Sequence, residues 1–146
     1  MKKIIRQVSP VFIALVFVSG AFTLMSSTKK AVKQTAPAAW VAPKEADAVK
    51  NPTKDNAESV TKGKKIYNQM CTVCHGNKGK GDGPGGLALK PKPTDHTSAK
   101  FHAQSDGAIY WKLTEGKGSM ASYKKSLTEA QRWDLVSYMR ELGAKK

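Results

Sequence analysis

The sequence predicts an all-α fold of about three to five short helices, on three observations. No run alternates apolar and polar residues convincingly in the manner of a strand. Three runs carry helical spacing between a capping residue and a stop. The only two cysteines stand three positions apart in Cys71-Thr72-Val73-Cys74-His75, a spacing that places both on one helical turn. With 146 residues the chain has room for one small domain plus extensions. The core of such a domain is modest unless a bound apolar group adds to it.

Residues 1–25 read as an export segment. Met1-Lys2-Lys3 and Arg6 make a positive start, and Val8 to Met25 is almost uncharged, with Phe12-Ile13-Ala14-Leu15-Val16-Phe17-Val18 at its centre. Cleavage after Ser19-Gly20-Ala21 makes it a signal peptide; retention makes it an N-terminal anchor, because about 18 apolar residues just span a bilayer. It holds no cysteine to carry a lipid. Lys29, Lys30 and Lys33 oppose the positive-inside bias, while the charges before the apolar stretch favour an outward C-terminus. Residues 26–56, rich in Ala, Pro, Lys and Thr, read as a tether. Within it, Trp40 to Pro52 has enough apolar content for a short arm that docks on the domain of residues 57–146.

In that domain Asn56 caps a helix from Ala57 to Met70, with Val60, Gly63, Ile66 and Tyr67, which leads straight into Cys71. Gly76 to Gly86 is a loop able to approach the edge of a flat ligand; no Gly-Lys-Ser/Thr follows, so it is not a phosphate loop. Pro91 to His96 is irregular. Ser105 or Asp106 caps a helix to about Glu115 with Ile109, Trp111 and Leu113, and Gly116 to Met120 is a loop. Thr128 caps a last helix, Glu129 to Leu142, stopped by Gly143.

Cys-x-x-Cys-His is the attachment pattern of a c-type haem. The thiols of Cys71 and Cys74 add to two vinyl groups, and His75 offers a neutral imidazole nitrogen to the iron. A redox dithiol wants a βαβ setting, a disulfide here constrains too little chain, and zinc wants two more close ligands, whereas only His96 and His102 remain. For the sixth iron position the candidate is Met120. Met1 and Met25 lie in the export segment, Met70 adjoins Cys71, and Met139 sits within a helix. His96, His102 and an open site are the alternatives, and both histidines otherwise read as exposed loop residues. A thioether stabilises the ferrous state and suits an electron carrier.

The chain is strongly basic, with a formal net charge of +14. Its lysines are scattered and no helix-turn-helix, zinc-finger or RNP pattern is present, which argues against nucleic acid. The charge suits a solvated surface or steering toward an acidic redox partner or anionic lipid.

From about Asn56 to Leu142 the chain resembles the class I, monohaem cytochromes c, above all bacterial periplasmic or membrane-tethered ones with a loop like Gly79-x-Gly81-Asp82-Gly83-Pro84. The resemblance implies a helical bundle wrapped around one covalent haem c, with Gly63 and Tyr67 on the first helix crossing Leu135 and Tyr138 on the last. It implies that Pro84, with Pro91 as alternative, supplies the carbonyl that orients the proximal imidazole. The family's ligand methionine falls on Met120, and Trp111 and Tyr123 fall where members contact haem. The chain departs from the family in having Ala121 where proline usually follows that methionine, which implies a more mobile loop and a weaker iron–sulfur bond.

The expected function is single-electron transfer between partners of a respiratory chain outside the cytoplasmic membrane, in the periplasm, with no enzyme activity and no small-molecule substrate. Two rivals remain: a tethered haem subunit of a larger oxidase or dehydrogenase complex, and a gas-binding or peroxidase-like protein with a labile sixth ligand.

Overall fold

The Asn56 side chain starts the first long helix by accepting from the amides of Glu58 at 2.9 Å and Ser59 at 3.1 Å, two donors with no partner inside the first turn. The computed structural model describes residues 39–144; the expected leader, residues 1–25, and the tether up to residue 38 lie outside them. The helices are α1 (Ala57–Met70), α2 (Thr72–His75), α3 (Ala99–His102), α4 (Asp106–Glu115) and α5 (Glu129–Glu141), with 3-10 turns at Lys44–Ala48 and Pro84–Gly86. Among the described residues no strand forms, and Lys117 and Met120 make an isolated antiparallel bridge. The protein is all-α, as its lack of alternating runs implies.

Both predicted downstream caps are present. Ser105 accepts from the Ala108 amide at 3.0 Å, and Thr128 and Gln131 form a reciprocal capping box. Helix α5 ends at Glu141, because Leu142 turns to an extended conformation. The single turn α3 has no periodic signature, being too short to show one; it starts where Ser98 caps the Phe101 amide.

The α1/α5 pair makes the largest interface of the bundle. Gly63 lies against the Asp134 carbonyl and the Tyr138 Cβ, so closely that any side chain there would displace α5. One turn on, Tyr67 meets Tyr138 edge to face with centroids 5.2 Å apart. Ser59 donates to the Asp134 carboxylate at 2.5 Å and satisfies it inside the crossing. Leu135 and Val136 are fully buried beneath it. Helix α4 joins through Tyr110 stacked on Trp133 at 4.0 Å and through the Arg140–Asp106 ion pair at 2.6 Å. The 3-10 turn Lys44–Ala48 lies on α4, with Ala46 buried and Asp47 accepting from Ser105 at 2.5 Å. Among the described residues no helix is long and apolar enough to cross a membrane.

Candidate functional site

Helix α1 delivers the chain into a single helical turn, with the Cys71 amide on the Tyr67 carbonyl at 2.9 Å and the His75 amide on the Cys71 carbonyl at 2.8 Å. Cys71 and Cys74 are both free thiols. Burial, with the Cys74 thiolate adding to it, pushes the Cys71 thiol up to about 12. Helices and turns flank this segment among the described residues, rather than the βαβ setting of a redox dithiol.

The His75 ring is held through Nδ1, which donates to the Thr94 carbonyl at 3.0 Å and leaves Nε2 free for a metal. This corrects the sequence expectation for Pro84 and its alternative Pro91. The Pro84–Gly86 turn is committed to the backbone of the Cys-x-x-Cys-His segment, where the Gly83 amide bonds the Cys74 carbonyl at 3.2 Å. The irregular segment after Pro93 then reaches the imidazole instead. Burial lowers the pKa of His75, opposed by its bond to Thr94; the neutral ring is the form a metal requires.

His96 is the residue that sequence reasoning misplaced. It is only 4% exposed, and its ring stacks on that of His75 with centroids 4.2 Å apart and planes 21° apart. Its Nδ1 pairs with the Tyr67 hydroxyl at 3.3 Å, and Phe101 packs on it at 4.7 Å. Burial first, then the neighbouring His75 charge, push its pKa down to about 3. Its place beside His75, rather than across a ligand from it, disfavours it as sixth ligand. His102 is likewise engaged, with Nε2 donating to the Leu142 carbonyl at 2.7 Å. Neither histidine is an exposed loop residue.

Met120 reaches the site from a loop closed on itself. Its backbone exchanges two bonds with Lys117, at 2.9 and 3.0 Å; Tyr123 N–H bonds the Leu113 carbonyl at 3.0 Å, and the Ser122 hydroxyl donates to the Thr114 carbonyl at 2.6 Å. Those bonds shape the loop in place of the proline that Ala121 lacks. His75 and Met120 open on the same cavity, of about 640 Å³, whose apolar wall includes Phe101, Ile109, Leu113 and Met139.

Three expectations do not meet at this cavity. The glycine-rich loop contributes nothing to its lining: Gly83, Gly85 and Gly86 pack on residues 72–74, while Gly79 and Gly81 pack on His96 and Pro93. Trp111 is also absent from the lining and lies 6.4 Å from the ring of Trp40. Tyr123 does not line it either, but stands near enough to the cysteines that burial first, then Cys71 and Cys74, raise its pKa. The residues that do meet there suit haem c: an imidazole with a free nitrogen, a thioether and apolar walls, with the thiols of Cys71 and Cys74 outside the lining but on the turn that carries His75. Among the described residues no group of three or more His, Cys, Asp or Glu could hold a bare metal ion.

The family model described as cytochrome c oxidase, cbb3-type, subunit III matches residues 58–139. The chain is 34% identical over 86 residues, 55% of its length, to a thiosulfate dehydrogenase of Stutzerimonas stutzeri (strain A1501), 26% of which is covered. It is 33% identical over 90 residues, 62% of its length, to a cytochrome c6-like protein of a Nostoc species, 77% of which is covered. Among solved structures it is similar to a chain of the reducing HAO-like protein complex of Kuenenia stuttgartiensis, at 32% identity and a TM-score of 0.56. That match covers 64% of this chain and 49% of the other. The chain thus spans about a quarter of the first relative and about half of the solved chain.

Proposed function

Because the chain belongs to the cytochrome c oxidase, cbb3-type, subunit III family of cytochrome c domains, we propose that Cys71 and Cys74 hold its haem c covalently and that His75 and Met120 are the axial ligands. The chain is an electron-transfer protein with covalently bound haem c, and the group supplies a one-electron Fe(II)/Fe(III) couple. The observation that supports the ligand pair is the opening of His75 and Met120 on one cavity, with the two free thiols on the turn that carries His75. Thr94 orients the imidazole through its Nδ1 proton, while burial favours the neutral ring. Phe101, Ile109, Leu113 and Met139 would give a bound haem an apolar wall, which together with the two ligands would tune its potential.

In this reading the chain turns over no substrate of its own and works outside the cytoplasmic membrane, between redox partners that its basic surface steers. The export pattern of residues 1–25 supports that placement. A second reading, as the haem subunit of a larger assembly, is favoured by relatives longer than this chain, one of them a solved complex.

The test is the ferric absorption spectrum of the haem-loaded protein beside Met120→Ala. A weak far-red sulfur-to-iron band in the wild type, lost in the variant, is expected. A wild type without the band that binds carbon monoxide rapidly when reduced would make the iron five-coordinate and favour a gas-binding or peroxidase-like protein.

A further inference from the structure

Haem is amphipathic: its ring is apolar, but one edge carries two carboxylates that must end beside donors or water. The cavity has a polar end to match. There Lys112 reaches Gln104 through a hydrogen bond and lies 5.6 Å over the ring of Trp40. Trp40, Gln104 and Lys112 all line the cavity, with Lys100 and Ser105 beside them. Around His75 the lining includes Thr94 and Asp95, and the Asp95 carboxylate would repel another.

The arm makes this end. Ala39, Trp40, Val41, Ala42 and Asp47 line the cavity although they precede the first helix. Their position is built in. Gly107 of α4 lies so close to the Ala46 carbonyl that a side chain there would lift the arm away. Asn51 then ties the end of the arm to Asp106 at 3.0 Å and to Ser137 at 3.3 Å. Lys112 is half-buried, and among the described residues it forms no ion pair. Burial, then repulsion from Lys100, lowers its pKa. Asp47 acts on it through its charge but makes no ion pair with it and accepts from Ser105 instead, which leaves a partly buried ammonium for an anion from outside the chain.

We infer that Trp40 and Lys112 form the end of the cavity that receives the haem carboxylates, with residues 39–42 and Asp47 beside them. The inference rests on the haem reading above. Lys112 supplies the charge and Trp40 an indole N–H and an apolar cover; Trp111 supports Trp40 from behind rather than meeting the group itself.

The test compares haem-loaded wild type, Lys112→Gln, Lys112→Arg, Trp40→Phe and the surface control Lys124→Gln, by resonance Raman of the carboxylate bending mode and by reduction potential. Lys112→Gln is expected to shift the mode and lower the potential more than Lys124→Gln does, because an uncompensated carboxylate stabilises ferric iron. Lys112→Arg should restore both, and Trp40→Phe should shift the mode with a smaller change in potential. Lys112→Gln indistinguishable from Lys124→Gln in both readouts overturns the inference while leaving haem binding intact. A wild type without covalent haem by the pyridine haemochrome assay overturns the haem reading itself, and the inference with it.

Discussion

The two sides of the cavity hold their candidate ligands by different means. On the His75 side one imidazole is restrained by the Thr94 carbonyl, by the stacked His96 ring and, behind that ring, by Tyr67 from the centre of the α1/α5 crossing. On the Met120 side a half-buried thioether is carried by a short loop whose shape depends on hydrogen bonds among residues 113–123. The first side is anchored in the core; the second hangs from its edge. The contrast teaches that the two ligands differ in how readily they let go, since local opening follows the number and burial of the contacts that must break.

The largest expected effect removes what the sides share. Gly63→Val forces α1 away from the Asp134 backbone and is expected to cost about 3 kcal/mol by overpacking. Guanidinium unfolding of the haem-loaded protein would then show a lower midpoint for helix content and haem absorbance together. Separate midpoints would show that the crossing does not carry both sides.

Next, His96→Ala leaves a gap beside His75 and is expected to cost about 2–3 kcal/mol, as truncation of a buried side chain does. It also frees the proximal ring to rotate, which paramagnetic NMR reads as a narrowed spread of haem methyl shifts. His96→Phe should keep that spread, because an aromatic ring still stacks. If the spread survives in His96→Ala, Thr94 alone orients the ligand and the contrast between the sides weakens.

Ser122→Ala tests the other side. It removes the bond to the Thr114 carbonyl at about 1 kcal/mol. On heating, the far-red band should vanish below the temperature at which helix content melts, with a wider gap than in the wild type. Simultaneous loss would show the Met120 loop to be as firmly anchored as His75.

The smallest effect at working pH appears only in alkali. Burial, with nearby negative charge adding to it, raises the pKa of Tyr67 above its ordinary value of 10. The folded protein therefore keeps a proton that the unfolded chain releases above about pH 10, so stability falls as pH rises beyond that point. Tyr67→Phe should flatten this alkaline loss in a thermal melt while removing the His96 hydrogen bond. An unchanged slope would assign the loss to Tyr138 and Tyr123, whose pKa values burial also raises.

Much of the bundle was legible because its signals are local. Asn56, Ser105 and Thr128 cap by reaching amides two or three residues ahead, a relation written in adjacent positions. Thr94 was not legible. Every residue carries a carbonyl, so nothing in the chain marks the one that will meet His75, and the prolines drew attention to a turn that is occupied with the Cys74 backbone. His96 was hidden for a related reason. It is buried because its amide returns to the Gly79 carbonyl at 2.7 Å and folds the segment under His75, a contact with no periodicity to betray it. Trp111 is an aromatic on the expected helix, but it is Trp40 of the arm, 6.4 Å from it, that lines the cavity.

By itself the sequence determined the three long helices, their caps and the Cys71–Cys74–His75 turn, since each depends on side chains a few bonds apart along the chain. Only the tertiary structure decided which carbonyl holds the imidazole, which second histidine braces it and what closes the cavity. Those depend on segments tens of residues apart meeting in space, and their meeting is set by the packing of the whole bundle rather than by any neighbour in sequence.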